Sequence, residues 1–134
     1  IVNIFFDSIP IKSIGDFKII DIQINGGKIK TTFENFPNSI ALFQNYPNPF
    51  NPETWIPYQI TEPSDVVITI YDLMGNKVRE LNLGNKMPGY YISKSKSAYW
   101  DGRNDDGEVV STGIYFYQLK AGNFTSVRKM TIIR

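Results

Sequence analysis

Residues 42–60, with the sequence LFQNYPNPFNPETWIPYQI, constrain the fold more than any other stretch of the chain. Pro47, Pro49 and Pro52 each fix their own φ angle and push the residue before them out of the helical region. Residues 46–52 are therefore predicted to be extended and turned, so the chain enters the following segment without a helix.

The residues after these prolines alternate with the two-residue period of a β-strand. Ile56, Tyr58 and Ile60 share one parity, which we assign to the core, and Trp55 has the opposite parity. Pro57 cannot donate a hydrogen bond to a neighbouring strand, so an edge strand is predicted. Trp55 is then predicted to point away from the core as a candidate contact for a protein partner. A ring lying flat on its own domain is the alternative.

The rest of the chain consists of short alternating segments separated by Gly, Pro, Asn and Asp, and no segment has a helical period. This pattern predicts an all-β fold, an immunoglobulin-like antiparallel β-sandwich over residues 39–134. A polar connection without strands is predicted over residues 84–97. Strands are predicted over residues 65–72, 77–83, 113–120 and 124–133.

Residues 1–38 form a shorter additional β segment. The run FKIIDIQI is followed by Asn25-Gly26-Gly27, which favours a hairpin. A block of this size without a disulfide or a metal rarely folds alone. We expect it to be the end of a preceding β module or a set of donor strands, packed on its own sandwich or on the open edge of a neighbouring molecule. Its candidate partner-binding residues are Ile1, Val2, Ile4, Phe5 and Phe6.

The residue types present restrict the chemistry. The 134 residues include no cysteine and no histidine, which excludes Cys and His nucleophiles, imidazole bases and disulfides. Asp105 and Asp106 are adjacent in sequence, so they are not expected to face each other across a substrate. We therefore expect no enzyme and no cofactor.

Charge and hydropathy restrict the partners. The 14 basic and 13 acidic residues are scattered and give a net charge of +1, so no nucleic-acid or anionic-membrane surface is predicted. No apolar run reaches the roughly eighteen residues of a membrane span. The sequence begins at Ile1 without a secretory leader, so we expect a piece of a longer product.

The stretch DGRNDDGE at residues 101–108 is a dense group of oxygen ligands of the kind that calcium prefers. Its spacing does not fit the helix-loop-helix calcium pattern, because glycines would occupy the first and last ligand places. The same residue types build β-turns, so a plain turn is the favoured interpretation and calcium the alternative. The candidate calcium ligands are Asp101, Asn104, Asp105, Asp106 and Glu108.

Large aromatic residues flank this loop. Trp100 precedes it, and Tyr115 and Tyr117 alternate in the strand that follows. Alternating aromatic residues are typical of the core of a small sandwich, with Trp100 as its central ring. A patch that stacks sugars or binds a peptide, including Tyr99, is the alternative.

Four separated motifs also resemble a known family: NYPNPFNPETWIPYQI, VVITIYDLMGNKVREL, AYWDGRNDDGEVVSTGIYFYQLKAG and VRKMTIIR. In this order they are similar to the immunoglobulin-like domain of the flagellar hook-cap protein FlgD and to the C-terminal sorting domains of the type IX (Por) secretion system. The resemblance covers residues 41–134, and the long loop at residues 101–108 departs from the shorter type IX pattern.

The resemblance implies structural roles and a sorting signal, with no catalytic residue. The structural positions that it implies are Tyr46, Pro47, Asn48, Pro49, Phe50, Trp100, Asp101, Gly102, Tyr115 and Tyr117. The end of the sorting signal would comprise Arg128, Lys129, Met130, Ile132 and Arg134.

These observations together predict a non-catalytic sorting, anchoring or assembly module of a bacterial protein that is extracellular or attached to the cell surface. Its partners are expected to be proteins: a secretion machinery, an upstream domain of the same precursor, or identical subunits. The alternative is a structural subunit of a filament or surface layer, a homopolymer assembled when the N-terminal strands add to a neighbour's sheet.

Overall fold

The structure, a computed structural model, describes residues 17–25 and 28–134, with side chains described from Asn35 onward. The chain divides into two compact units between Asn38 and Ser39. Every regular element in the described part of the chain is a β-strand. This part contains no helix long and apolar enough to cross a membrane.

The first unit contains a two-stranded antiparallel ladder. Strand β1 (Phe17–Asn25) pairs with β2 (Lys28–Asn35), with Asn25 opposite Lys28. The two strands predicted around the Asn-Gly-Gly signal are therefore confirmed. The glycines between them lie outside the described residues.

The second unit is an immunoglobulin-like β-sandwich, as the sequence predicts. Its four-stranded sheet has the order β11-β10-β6-β7, and this sheet packs against a three-stranded sheet, β3-β5-β8, and a two-stranded sheet, β4-β9. All pairs are antiparallel. The strands are β3 (Ala41–Leu42), β4 (Thr54–Ile56), β5 (Tyr58–Ile60), β6 (Ser64–Tyr71), β7 (Lys77–Lys86), β8 (Gly89–Tyr91), β9 (Ala98–Trp100), β10 (Gly113–Ala121) and β11 (Phe124–Ile132).

The core forms where the inward-facing side chains of the sheets meet. Trp100 is fully buried, as predicted, and its ring lies 5.5 Å from that of Phe50 and 6.0 Å from that of Tyr115. The inward parity assigned to Ile56, Tyr58 and Ile60 is also confirmed, since all three are fully buried. The alternation of each strand therefore decides which side chains stabilise the sandwich.

The prediction that residues 54–60 form one edge strand is wrong. The segment breaks at Pro57 into β4, which pairs with β9, and β5, which lies between β3 and β8. Pro57 stands where the chain passes from one sheet to the next, and its carbonyl accepts a hydrogen bond from the Phe43 amide at 3.0 Å. A residue between two strands needs no donor for a ladder, so proline fits there.

The prediction that residues 84–97 contain no strand is also wrong. Strand β7 continues to Lys86, and β8 pairs with β5. Gly84 has a φ of +76° and pairs with Val66 where the register of β6 and β7 shifts. The glycine marks a bulge inside a strand and not the end of that strand.

Candidate functional site

Trp55 lies at the centre of a cluster of aromatic residues on the outward side of β4. Its backbone exchanges two hydrogen bonds of 2.9 Å with Tyr46, and it lies directly opposite Tyr99 of β9. The ring centroid of Trp55 is 6.3 Å from that of Tyr46 and 5.7 Å from that of Tyr99. The Lys94 ammonium lies 4.2 Å from the Trp55 centroid. We call Tyr46, Trp55, Tyr99 and Lys94 the aromatic patch.

The flanking rings of the aromatic patch are held by their hydroxyl groups. The Tyr46 hydroxyl donates to the Ile92 carbonyl at 2.8 Å, and the Tyr99 hydroxyl donates to the Glu53 carboxylate at 2.7 Å. The hydrogen bond to Glu53 raises the pKa of Tyr99 above its ordinary value. Because these rings are fixed in place, the patch loses little side-chain entropy when it contacts a partner.

Trp55 has the predicted outward orientation. Its ring lies partly on its own domain and stays partly accessible to a partner, so each of the two predicted alternatives holds in part. The side chain points away from the core, as the parity predicts, but it is half-buried under Tyr46, Tyr99 and Lys94. Tyr99 is 46% exposed and supplies much of the accessible ring surface. Tyr46 and Lys94 were not assigned to a partner surface from the sequence, because loops and a bridge outside the strands bring them to Trp55.

The acidic loop, residues 101–108, is closed by its own side chains. The side-chain oxygen Oδ1 of Asn104 accepts from the backbone amides of Asp106 and Glu108 at 3.0 and 2.9 Å, and its side-chain Nδ2 donates to the Glu108 carboxylate. Asp101 accepts from the Arg103 amide at 3.1 Å. These are the bonds of a turn in which Asn and Asp side chains replace backbone groups.

One acidic residue of this loop bonds to a strand instead. Asp105 accepts from the Glu80 amide at 3.2 Å and lies 3.9 Å from the Arg79 guanidinium. Four of the five calcium candidates, Asp101, Asn104, Asp105 and Glu108, therefore use their side chains to bond different partners within the protein. Within the described ranges, no group of three or more acidic side chains is arranged to hold a metal.

The residues implied to end a sorting signal form the last strand of the sandwich. Met130 and Ile132 of β11 are fully buried. The Arg128 guanidinium donates to the Leu42 carbonyl, and the Lys129 carbonyl accepts from the Gln44 side chain at 2.9 Å. The Arg134 guanidinium donates to the carbonyls of Val110 and Gly102 at 2.7 and 2.9 Å. This stretch is integrated into the fold.

The proline-rich segment, residues 46–52, closes the outer edge of β11. Phe50 accepts from the Ile133 amide and donates to the Thr131 carbonyl, both at 3.0 Å, in a parallel bridge. The Asn48 side chain accepts from the Thr131 amide at 2.9 Å. Three X–Pro bonds of this segment are cis: Tyr46-Pro47, Asn48-Pro49 and Asn51-Pro52.

The W-D-G motif meets both of these segments. The Trp100 indole donates to the Arg103 carbonyl at 2.8 Å. Gly102 has a φ of +73°, and a Cβ there would lie 2.6 Å from the Pro52 carbonyl oxygen and 2.7 Å from the Arg134 guanidinium. Only glycine leaves room for this close approach. The proline-rich segment, the W-D-G motif and the last strand are therefore packed together in one part of the sandwich.

Tyr115 and Tyr117 are buried, as predicted for core residues. Their hydroxyls donate to the carbonyls of Ser111 and Phe43, respectively, both at 2.8 Å. Burial raises the pKa of Tyr117 to about 12. The candidate partner-binding residues Ile1, Val2, Ile4, Phe5 and Phe6 lie outside the described residues.

The chain is similar to parts of larger proteins of known structure. In solved structures, the chain is similar to dimeric latent PorU from Porphyromonas gingivalis, with 19% identity and a TM-score of 0.51 over 79% of this chain and 11% of PorU. A second match is PorZ, an essential surface component of the type IX secretion system of the same bacterium, with 17% identity and a TM-score of 0.47 over 69% of this chain and 11% of PorZ. No curated protein matches the sequence.

The sequence also matches a family model. The model of the FlgD Ig-like domain matches residues 53–124, which is more than half of the chain. The matched range runs from the start of β4 through β10, and these strands build the sandwich described above. The chain therefore belongs to the FlgD Ig-like domain family.

Proposed function

We propose that residues 39–134 act as a non-catalytic sorting, anchoring or assembly module of a secreted or cell-surface bacterial protein, and that the partner is a protein. The aromatic patch is the observation that carries this proposal. It presents a tryptophan and two tyrosines at fixed positions on the outer side of a small sandwich.

The chemistry of the aromatic patch fits a protein interface. Trp and Tyr are the residues that contribute most of the binding energy in such interfaces, and charged groups form their rim. Here the Lys94 ammonium and the Glu53 carboxylate lie beside the rings and supply both signs of charge. A partner with an apolar centre and polar surroundings would match this arrangement.

The other polar side chains support a non-catalytic role because they serve the fold. The acidic loop uses Asn104 and Asp105 to close itself and to join β7. The hydroxyls of Tyr115 and Tyr117 bond to backbone carbonyls. A carboxylate or hydroxyl that is held in this way is poorly placed to act as a nucleophile or base.

The compared structures support a location outside the cell. PorZ is a surface component of a secretion system, and the fold of this chain corresponds to a small part of PorU. The chain spans about a ninth of each of these proteins. A module attached to a longer exported protein is consistent with that proportion.

The proposal can be tested by fusing residues 39–134 to a fluorescent reporter in a bacterium with a type IX secretion system. We expect the reporter in the medium or on the cell surface, and Trp55→Ala should reduce that fraction about tenfold, the loss typical of removing an interface hot spot. Phe116→Ala is the matched control, because Phe116 is also a half-exposed aromatic residue but belongs to the four-stranded sheet.

Two outcomes would contradict the proposal. One is a reporter that stays inside the cell although the fusion is folded. The other is an equal loss for Trp55→Ala and Phe116→Ala, which would indicate a general folding defect. Thermal unfolding of both purified variants separates lost recognition from lost stability.

The filament or surface-layer alternative stays a prediction, since its candidate partner-binding residues, Ile1, Val2, Ile4, Phe5 and Phe6, lie outside the described residues. Deleting residues 1–16 and comparing assembly with the full chain by analytical ultracentrifugation tests it. A full-length chain that remains monomeric at high concentration would refute strand exchange.

A further inference from the structure

The turn between β6 and β7 presents two apolar side chains to solvent. Leu73 is 65% exposed and Met74 is 85% exposed. Turns of this kind are usually filled by Gly, Pro, Asn, Asp and Ser, because those residues suit the backbone and are well solvated. Two adjacent large apolar residues at such a position leave surface that a partner can bury.

This turn is held rigidly by Asp72. The Asp72 carboxylate accepts from the amides of Met74 and Asn76, both at 2.9 Å, and from the Asn76 side chain at 3.2 Å. The backbone adds two bonds, from Asp72 to Asn76 and from Gly75 to Asp72. The hydrogen bonds from Asn76 hold the pKa of Asp72 below its ordinary value. The backbone of Leu73 and Met74 is thus held in place before any partner arrives, which lowers the backbone entropy lost on binding.

A cleft of about 530 Å³ lies next to this turn. Asp72 and Lys77 line one side, and Asp105 and Asp106 of the acidic loop line another. The lining therefore carries three carboxylates and one ammonium group. The ammonium group lies 3.5 Å from the Glu80 carboxylate, and the Asp105 carboxylate lies 3.9 Å from the Arg79 guanidinium. The Asp106 side chain makes no hydrogen bond or ion pair with the part of the chain that the structure describes. A cation entering the cleft would meet an excess of negative charge.

We propose that Leu73 and Met74, together with this cleft, form a second docking surface, which binds a segment of a partner protein that carries Lys or Arg beside aliphatic residues. The aliphatic side chains cover Leu73 and Met74, and the cation lies in the cleft near Asp106. The surface shares no residue with the aromatic patch, so the two can be engaged and tested separately. The exposed apolar pair defines the surface, and the carboxylates select the charge of the partner.

The test uses the full chain labelled with nitrogen-15 and two synthetic seven-residue peptides, one alternating leucine with arginine and the other alternating leucine with glutamate. Titration followed by amide chemical shifts should show the arginine peptide perturbing residues 72–77 and 104–108. The glutamate peptide should leave these residues unchanged. Binding of the arginine peptide should weaken as salt is added, since exposed charges are screened.

Variants identify the groups responsible. The double substitution Leu73→Ser, Met74→Ser should weaken binding about tenfold or more, and Asp106→Asn severalfold. Asp72→Ala keeps both apolar residues but removes three hydrogen bonds from the turn, so it should also weaken binding. Val127→Ser is the matched control, because Val127 is 55% exposed on β11 and lies outside the cleft lining.

The proposal is overturned by any of three results: no shift with the arginine peptide at millimolar concentration, equal binding of the glutamate peptide, or unchanged affinity of the double serine variant. Unaltered circular dichroism of that variant shows that the fold is retained. An export defect of Trp55→Ala has no bearing on these titrations, so the two proposals fail independently.

Discussion

The proline-rich segment, residues 46–52, and the acidic loop, residues 101–108, are both rich in turn-forming residues, yet they are fixed by different kinds of bonds. The proline-rich segment bonds to β11, with Asn48 joined to Thr131 across 83 positions of sequence. The acidic loop is closed mainly within itself, with Asn104 joined to Glu108 across four positions. Bonds to distant parts of the chain dominate the first arrangement, whereas in the acidic loop they come from Gly102, Asn104 and Asp105.

This difference indicates that turn composition does not reveal what a turn does. Long-range bonds make the proline-rich segment part of the core. A change in this segment should therefore affect the packing of the sheets that surround it. Local bonds set the shape of the acidic loop, and Asn104 and Asp105 also contact β7, while Gly102 accepts from Arg134.

The largest effect is expected for Trp100→Ala, because Trp100 contacts both regions. Its ring packs on Phe50, and its indole donates to the Arg103 carbonyl. Removing a fully buried tryptophan should lower the free energy of unfolding by about 3 to 5 kcal/mol. Urea denaturation followed by circular dichroism measures this change, and a loss under about 1 kcal/mol would contradict the central role of Trp100 in the core.

Alkaline pH should destabilise the base of the proline-rich segment through Tyr117. Its hydroxyl donates to the Phe43 carbonyl and accepts from the Asn45 amide, and burial raises its pKa from 10.0 to about 12. A raised folded-state pKa gives stability that is complete below pH 10 and is lost between pH 10 and 12. Two pKa units correspond to roughly 2 to 3 kcal/mol. Urea denaturation across this range should show a steeper loss for the native chain than for Tyr117→Phe; parallel profiles would contradict the assignment.

A matched pair of asparagines compares the two regions: Asn45 directly precedes the proline-rich segment and bonds to it, and Asn104 belongs to the acidic loop. Asn45 is 2% exposed, and its side chain donates to Thr54 and to the Pro47 carbonyl. Asn45→Ala should cost about 1 to 3 kcal/mol because it leaves buried polar groups without partners. Asn104→Ala removes bonds near the surface and should cost about 0.5 to 1 kcal/mol. Chemical denaturation of both variants measures the difference, and equal costs would remove the contrast between the regions.

The smallest effect is expected for metal removal. Three of the four carboxylates of the acidic loop already accept hydrogen bonds, from Arg103, Glu80 and Asn104. Adding EDTA should therefore leave the melting temperature unchanged in differential scanning calorimetry. A decrease that calcium restores would instead support a metal at residues 101–108, since a ligand that binds only the folded state stabilises it.

The sandwich could be predicted from the sequence because the period of a strand is a local property. The alternation of Ile56, Tyr58 and Ile60 identified their buried face correctly. Pro57 and Gly84 misled the prediction because each residue has more than one use. Proline fits an edge strand and also a passage between sheets, and glycine fits a turn and also a bulge.

The candidate site was less accessible to sequence reasoning. Trp55 was identified by its parity, but Lys94 reaches its ring from a segment that carries no periodic signal. The exposed pair Leu73 and Met74 occurs in a recognisable turn, where apolar residues at turn positions were a signal that could have been used. The bonds of Arg134 to Gly102 and Val110 depend on tertiary structure alone and had no local signal.

The integration of β11 also affects the order of folding. Arg128 bonds to Leu42 across 86 positions, so the edge that residues 42–50 present to β11 stays unpaired until the last strand is present. Ribosomes add about 5 to 20 residues per second, which leaves this edge open for several seconds during synthesis. Closing contacts so far apart in sequence is also intrinsically slow. The sandwich therefore completes its folding late, and its first strands remain available to chaperones for much of the time in which the chain is made.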